Sequence, residues 1–428
     1  MLGNEGVSLP PDHPSRLSIN NEVHARPPEA LPERARITYL VLLDDPDMSP
    51  VCDLCERFGV EPPGENARHY SADLGPFRLK WERHTEFTRY WFITPAKGGT
   101  EPFSGMALKS VPEEWLKSLS GEVLAANNLE LVPRPRARID ENRLSQEHFA
   151  GNMVIGSEIS GGRGLAFTDF RIHADGFGRI LVYENGQTPH QRGRNVQRLL
   201  EIDTYRVLAL LALPIARGLV PMLGEFEREL TEITEEMRDA DHTREPELLD
   251  RLTLLHANIV REHTASQFRF SAATAYAELV DYRISELREQ RIEGLQTFAE
   301  FTERRLLPAM KTCQSTANWL STVSQRVARA TQLLSTRVDI TREKQNQVLL
   351  ESMNRRARLQ LRLQQTVEGL SIAAITYYIV GLVGYAAKGA NQAGLIPWSD
   401  TMVTAVSIIP VVAFVAWGVR HVRKAVTG

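Results

Sequence analysis

Hydrophobic positions along the chain keep two rhythms, an alternation of period two early on and a helical period afterwards. Residues 37–43 form a β-branched and leucine run ending at Asp44-Asp45-Pro46, which predicts a strand and a turn. Residues 77–81 and 88–94 alternate well enough to pair as antiparallel strands. Residues 112–126 place Trp115, Leu116, Leu119 and Val123 on one face of a predicted helix. Strands are expected at 153–159 and 165–172, joined across Gly161-Gly162. Asp175-Gly176 marks a hairpin turn between 167–173 and 180–184. Residues 1–195 therefore read as a mixed α/β domain.

Beyond about Val196 the period is helical throughout. Residues 198–238 predict helices interrupted at Pro214 and Pro221. A second long helical stretch covers 245–306, with a break before Pro246, so that 196–308 form a helical region. No proline occurs from 309 to 387, and Leu320, Val323, Val327, Ala330 and Leu334 repeat at spacings of three and four. This coiled-coil-like seam weakens over 339–347 and resumes around 348–353. A stalk helix over 309–368, continued into the apolar stretch behind it, would be on the order of 120 Å long.

Two uncharged stretches close the chain, 369–387 and 401–419, each 19 residues long. As helices they reach about 28 Å, close to the roughly 30 Å hydrocarbon core of a bilayer. The linker between them carries the helix-ending Gly389, Gly394 and Pro397. Tyr377, Tyr378, Tyr385, Trp398 and Trp417 suit the interfacial belts. Arg355, Arg356, Arg358 and Arg362 precede the first stretch and Arg420, Arg423 and Lys424 follow the second, whereas the linker offers Lys388 and Asp400. Positive charge stays on the cytoplasmic side, so residues 369–428 read as a two-span hairpin in a bacterial inner membrane with both chain ends in the cytoplasm. The apolar run 207–213 is too short for a span, meets Pro214, Arg217 and Pro221, and reads as a buried helix.

A chain of 428 residues suggests two or three domains. A net charge of -3 gives no basic surplus for nucleic acid. Three cysteines, Cys52, Cys55 and Cys313, fit a reducing compartment rather than a disulfide framework. Residues 1–12 have neither the basic flank nor the apolar core of a signal peptide.

Candidate chemistry is sparse. Cys52-Asp53-Leu54-Cys55 has the spacing of half a zinc site or a redox pair, which His69 or His84 would have to complete. Without a second such pair, the thiols read as small packing groups. His13, Glu22 and His24 form a loose cluster, read as pinning an extended segment rather than binding metal. Gly161-Gly162-Arg163-Gly164 lacks the Lys-Ser/Thr and following helix of a phosphate loop and reads as a hairpin turn. Arg192-Gly193-Arg194 could meet phosphate or an acidic lipid, but reads first as a solvated linker. No nucleophile, histidine and acid form a catalytic set, so neither an enzyme, a cofactor nor a metal centre is expected.

Two resemblances follow from longer motifs. His13-Pro14-Ser15-Arg16, Asn21-Glu22-Val23-His24-Ala25-Arg26-Pro27 and Leu200-Glu201-Ile202-Asp203-Thr204-Tyr205-Arg206 resemble a bacterial family of uncharacterised, membrane-anchored proteins over the whole chain. The layout resembles the CorA-type magnesium transporters, pentamers whose long stalk helix becomes a pore-lining first span. Gly381 and Gly384 match the glycine spacing of that family's pore stretch, but its Gly-Met-Asn methionine and asparagine positions are Tyr385 and Ala386 here. The resemblance implies an α+β protein: a mixed α/β cytoplasmic domain, a helical hairpin and stalk, and a two-helix transmembrane hairpin. It also implies a homo-oligomer, a pentamer, around a pathway lined by Ser371, Thr376, Tyr377, Tyr378, Gly381, Gly384 and Tyr385, with Lys388 at its mouth. A methyl group at 386 cannot offer the asparagine's carbonyl, and a ring of lysines repels Mg²⁺, so an anion or other small solute is expected instead. The alternative is a membrane-anchored scaffold or sensor whose cytoplasmic domain binds a partner or ligand.

Overall fold

A computed structural model of the protein describes residues 11–17, 19–20, 27–45, 47–136, 139–239 and 243–427, with side chains to 421. The fold is α+β, with a sheet in the N-terminal part and long helices behind it. The chain forms two compact units, residues 1–236 with 250–330 and residues 237–249 with 331–428.

The first unit is built on a nine-stranded sheet of order β2-β3-β4-β1-β5-β8-β7-β6-β9. Strand β1 (Ala35–Leu43) lies between β4 (Phe87–Pro95) and β5 (Glu122–Pro133), antiparallel to both. β2 (His69–Asp73) and β3 (Arg78–Arg83) extend one side. On the other side β8 (Gly178–Glu184) runs parallel to β5, followed by β7 (Gly164–Thr168) and β6 (Ile155–Ile159). The expected strands and the turns at Gly161-Gly162 and Asp175-Gly176 are all present, most within a residue or two of the predicted ends, but the strand expected at 165–172 stops at Thr168.

Period-two alternation splits β1 between two cores. Ala35, Ile37, Tyr39 and Val41 enter one with Trp91, Leu129 and Val182, while Leu40 and Leu42 enter the other with Trp81, Tyr90 and Phe92. Helix α1 (Ser49–Phe58) and Trp115 of α2 (Glu113–Ser118) cover the second face. A small third cluster joins Leu144 of α3 (Glu141–His148) to Phe149, Phe167 and Leu181. The first face is covered by α4 (Pro189–Leu210), through Val196, Leu199, Leu200 and Ile202. Val280 and Ile284 of α6 (Glu245–Leu287) and Phe298 of α7 (Phe298–Gln392) complete that core.

Three expectations are corrected. The helix read at 112–126 stops at Ser118, and from Glu122 the chain belongs to β5. Gly121 takes φ +87°, and a Cβ there would lie 2.2 Å from the Leu43 carbonyl oxygen. Two strand ladders then outweigh the local helical pattern, leaving Val123 exposed. Pro221 does not interrupt a helix; it sits inside α5 (Ala212–Asp239), and the break falls at Leu211, just before Pro214. The stretch 245–306 is two helices. Arg288 adopts φ +50° and β9 (Gln290–Arg291) pairs with β6 before α7 begins.

In the first unit, Arg326 of α7 and Arg251 of α6 each bond a glutamate of α5, Glu227 and Glu236, at 2.8 Å. The seam positions Leu320, Val323, Val327, Ala330 and Leu334 are buried. Its predicted resumption is not: Val348, Leu349, Leu350 and Met353 are exposed on α7. The second unit ends with α8 (Asp400–Thr427).

Candidate functional site

The last turns of α7 and all of α8 form an antiparallel hairpin closed by residues 393–399. Gly394 at φ +67° ends α7, and Leu395 N–H reaches back to the Ala390 carbonyl at 3.0 Å. Asp400 stands in the first turn of α8, where a carboxylate suits the positive helix end. Thr376, Val380, Val383, Gly384 and Ala387 are among the partly or fully buried positions of α7 here, and Val403, Thr404, Ser407, Val411 and Val415 among those of α8. A Cβ on Gly384 would lie 3.2 Å from Thr404 Oγ1, so glycine sets the close approach of the two helices.

Helical geometry sorts the predicted pathway residues into stripes. Tyr377, Gly381, Gly384 and Lys388 follow one another at spacings of four, three and four, on one line along α7. Ser371, Tyr378 and Tyr385, at spacings of seven, form a neighbouring line. Thr376 is two positions from Tyr378, hence about 200° round the helix, and its hydroxyl is buried without a hydrogen-bond partner. The structure thus brings seven of the eight candidates to one flank and turns Thr376 away. Ser371 donates to its own helix at the Val367 carbonyl, and Tyr377, Tyr378 and Tyr385 are exposed. Gly381, Gly384, Tyr385 and Lys388 line a cleft of about 530 Å³ with Asp400, Thr401, Thr404, Ala405 and Ile408. Lys388 and Asp400 face this cleft from opposite helices without an ion pair between them. Asp400 and Thr404 carry no signal in the sequence beyond their place next to the linker.

By length and composition alone, Pro189–Asp239, Phe298–Gln392 and Asp400–His421 could each cross a membrane. The apolar window of the first is 33% buried, against 6% in each of the others. Leu208, Ala209 and Ala212, in the run read as a buried helix, are indeed buried.

Among the described residues no group of three or more His, Cys, Asp or Glu could hold a metal. Cys55 is buried on α1 and donates to Tyr70 Oη at 3.4 Å, while Cys52 is half-buried. Burial, joined at Cys52 by the Asp53 and Glu56 charges, pushes both thiols above their ordinary range. That disfavours the thiolate that metal binding or redox exchange requires. His84 stacks on Phe87 and His69 is exposed on β2. His13 accepts the Ser15 N–H, and Glu22 and His24, with the rest of the 21–26 motif, lie outside the described residues.

Arg192-Gly193-Arg194 is no linker; it lies in the first turns of α4. Arg192 is buried, donating to the carbonyls of Leu31 at 2.9 Å and Gln187 at 2.6 Å and to Glu184 at 3.3 Å. Gly193 lies against the Glu29 backbone. Arg194 is exposed and faces a recess also lined by Arg163, Arg198 and Arg288.

The Leu200–Arg206 motif proves to be a latch between α4 and the sheet. Glu201 accepts from Arg89 at 3.0 Å and pairs with Arg283 at 2.5 Å. Asp203 accepts from Asn127 at 2.7 Å, and Thr204 lies 3.0 Å from the Tyr39 hydroxyl. Arg89 also holds Glu82, with Lys80 3.5 Å away. Burial alone would raise the Glu82 carboxyl, but Arg89 and Lys80 outweigh it and hold the group down to about 2. Periodicity could not announce this network, because its charges sit on strands and helices whose neighbours are apolar.

The model of one family, described as Protein of unknown function (DUF3422), matches residues 11–426. No curated protein and no solved structure gives a significant match.

Proposed function

From a chain that belongs to the DUF3422 family, we propose a two-span membrane protein that assembles as a homo-oligomer of CorA-like layout and passes a small solute along the first span. The observation that carries this reading is the flank of α7 where Ser371, Tyr377, Tyr378, Gly381, Tyr385 and Lys388 are exposed on an otherwise apolar helix. Polar groups at bilayer depth are costly against lipid, so such a flank belongs against water or against copies of itself. Two spans per chain cannot enclose a pore, whereas a ring of about five can, as in the transporters with this order of elements. Upstream on α7, Leu359, Leu363, Val367 and Leu370 recur at spacings of four, four and three and are all exposed, which suits a stalk packed against other copies.

The cytoplasmic side is the one that holds the arginines around 355–362, which puts the linker 393–399 outside the inner membrane. Lysines around the outer mouth disfavour divalent cations and attract anions. Reconstituted into vesicles, the protein is expected to migrate near five times its 48.2 kDa mass in detergent and to pass chloride in preference to potassium. Lys388→Glu should invert that preference. Vesicles that pass no tested ion, with or without the substitution, would overturn the transport reading.

A second reading, an anchored sensor or scaffold, is favoured by the arginine-lined recess in the first unit. It expects a chain lacking residues 369–428 to keep its ligand binding, and loss of binding in a folded truncation counts against it.

A further inference from the structure

The recess beside α4 has a volume of about 620 Å³, within the range of small-molecule sites. Four guanidinium groups line it, from three different segments. Arg163 comes from the β6–β7 turn, Arg194 and Arg198 from α4, and Arg288 from the residue that follows α6. Its one carboxylate, Glu286, is already held by Arg198 at 3.1 Å and Arg283 at 2.6 Å. Arg163, Arg194 and Arg288 make no side-chain hydrogen bond or ion pair among the described residues. Three exposed like charges therefore share one concavity whose single carboxylate is already paired, an arrangement that favours an anionic ligand.

Beneath the arginines lies a fixed polar floor. Asn195 is 2% exposed and donates to Ser160 Oγ at 2.8 Å and to Gln187 Oε1 at 2.9 Å. Gln187 in turn donates to the Arg163 carbonyl at 2.7 Å, which pins the turn carrying Arg163. A Cβ on Gly164 would lie 2.4 Å from Gln187 Nε2, so this glycine makes room for the pin. Ser160 N–H bonds the Leu287 carbonyl at 2.8 Å, tying the segment of Arg288 to the same turn. The backbone that carries the arginines is thus fixed by the fold before any ligand arrives, so binding has only their side chains to order.

We propose that this recess binds the phosphate groups of a compact polyanion, pyrophosphate or a small phosphate ester. The charge calls for at least a dianion, and guanidinium forks match phosphate oxygens in pairs. No apolar or aromatic side chain lines the recess, so it offers nothing to a nucleobase ring or an acyl chain. Recognition rests on the phosphate alone, whether it arrives in a soluble molecule or as an exposed lipid headgroup. The site is independent of any conduction through the hairpin, and its test does not involve flux.

Calorimetric titration of the full-length protein in neutral detergent with inorganic pyrophosphate tests the assignment. One saturable site per chain is expected, weakening steeply as salt is added. Arg194→Gln combined with Arg288→Gln should weaken binding at least tenfold and leave the thermal transition in place, because neither side chain has a partner to lose. Arg57→Gln, exposed on α1, should change nothing. A parallel titration with dihexanoyl phosphatidic acid below its micelle concentration separates the two sources. Tighter, variant-sensitive binding of that lipid supports the site and identifies a headgroup as the source. Tighter binding of pyrophosphate supports it and identifies a soluble one. Failure of both probes to bind, or binding that the double variant retains, overturns the proposal.

Discussion

A methyl group on Gly193 would lie 1.7 Å from the Glu29 carbonyl oxygen, which is backbone and cannot rotate away. Gly193→Ala should therefore force α4 off the 27–31 segment and cost about 1–3 kcal/mol, as overpacking does. Gly218→Ala, an exposed helical glycine with open space around it, should instead stabilise by about 0.5–1 kcal/mol. Thermal unfolding followed by the buried Trp81 and Trp91 fluorescence reads both. Glu82 gives the pH dependence. Its carboxyl is held near 2 in the fold against an ordinary 4.5, so its contribution is complete above about pH 4.5 and is lost as pH falls toward 2. Denaturant midpoints measured from pH 5 to 2.5 should fall more steeply in the natural protein than in Glu82→Gln, and equal slopes would refute this. None of this was legible in the sequence. A glycine flanked by two arginines looks like a mobile linker until the Glu29 backbone is seen against it.

Strands and turns of the sheet were legible wherever alternation was bounded by glycine or aspartate, as at Gly161-Gly162 and Asp175-Gly176. Periodicity predicts a helix over 112–126 because Leu119 and Val123 continue the spacing of Trp115 and Leu116, while the conformation of Gly121 is imposed from β1. The start of α4 carries its own local signal, seven residues ahead of the point where the helical period sets in. In Thr188-Pro189-His190-Gln191, the Gln191 N–H donates to Thr188 Oγ1 at 3.3 Å, and the Gln191 side chain accepts the Thr188 N–H at 2.9 Å. Pro189 fills the first helical position, where its missing N–H costs nothing. Thr188→Ala should cost about 1 kcal/mol of stability, and Thr188→Ser should restore most of it, both measured as shifts in the unfolding midpoint. Strand β9, two residues long, is set by its pairing with β6 and is too short for any periodicity to reveal.

For the molecule as a whole, the question is whether the hairpin crosses a bilayer and which way round. Apolar pattern made its two helices legible, and helical spacing placed the tyrosines, glycines and Lys388 on one flank. The cleft with Asp400 and Thr404 was not legible, because it depends on how two helices meet rather than on either alone. Arg355, Arg356, Arg358 and Arg362 stand before the apolar part of α7 and Arg420 near the end of α8, while 393–399 carries no charge. Carrying even one arginine into the bilayer centre costs about 2.5–3.5 kcal/mol on insertion scales, so the flanks should stay on the side of synthesis and the linker should cross. Cysteine placed at Asn391, exposed beside the linker, should react with a membrane-impermeant maleimide in intact bacterial spheroplasts. Cysteine at Ser352, exposed on α7 ahead of the arginines, should react only after lysis. The reverse pattern would place both chain ends outside. Equal protection of both sites until lysis would mean that the hairpin does not cross, and its apolar surface would then have to be covered by other copies of the chain instead of lipid.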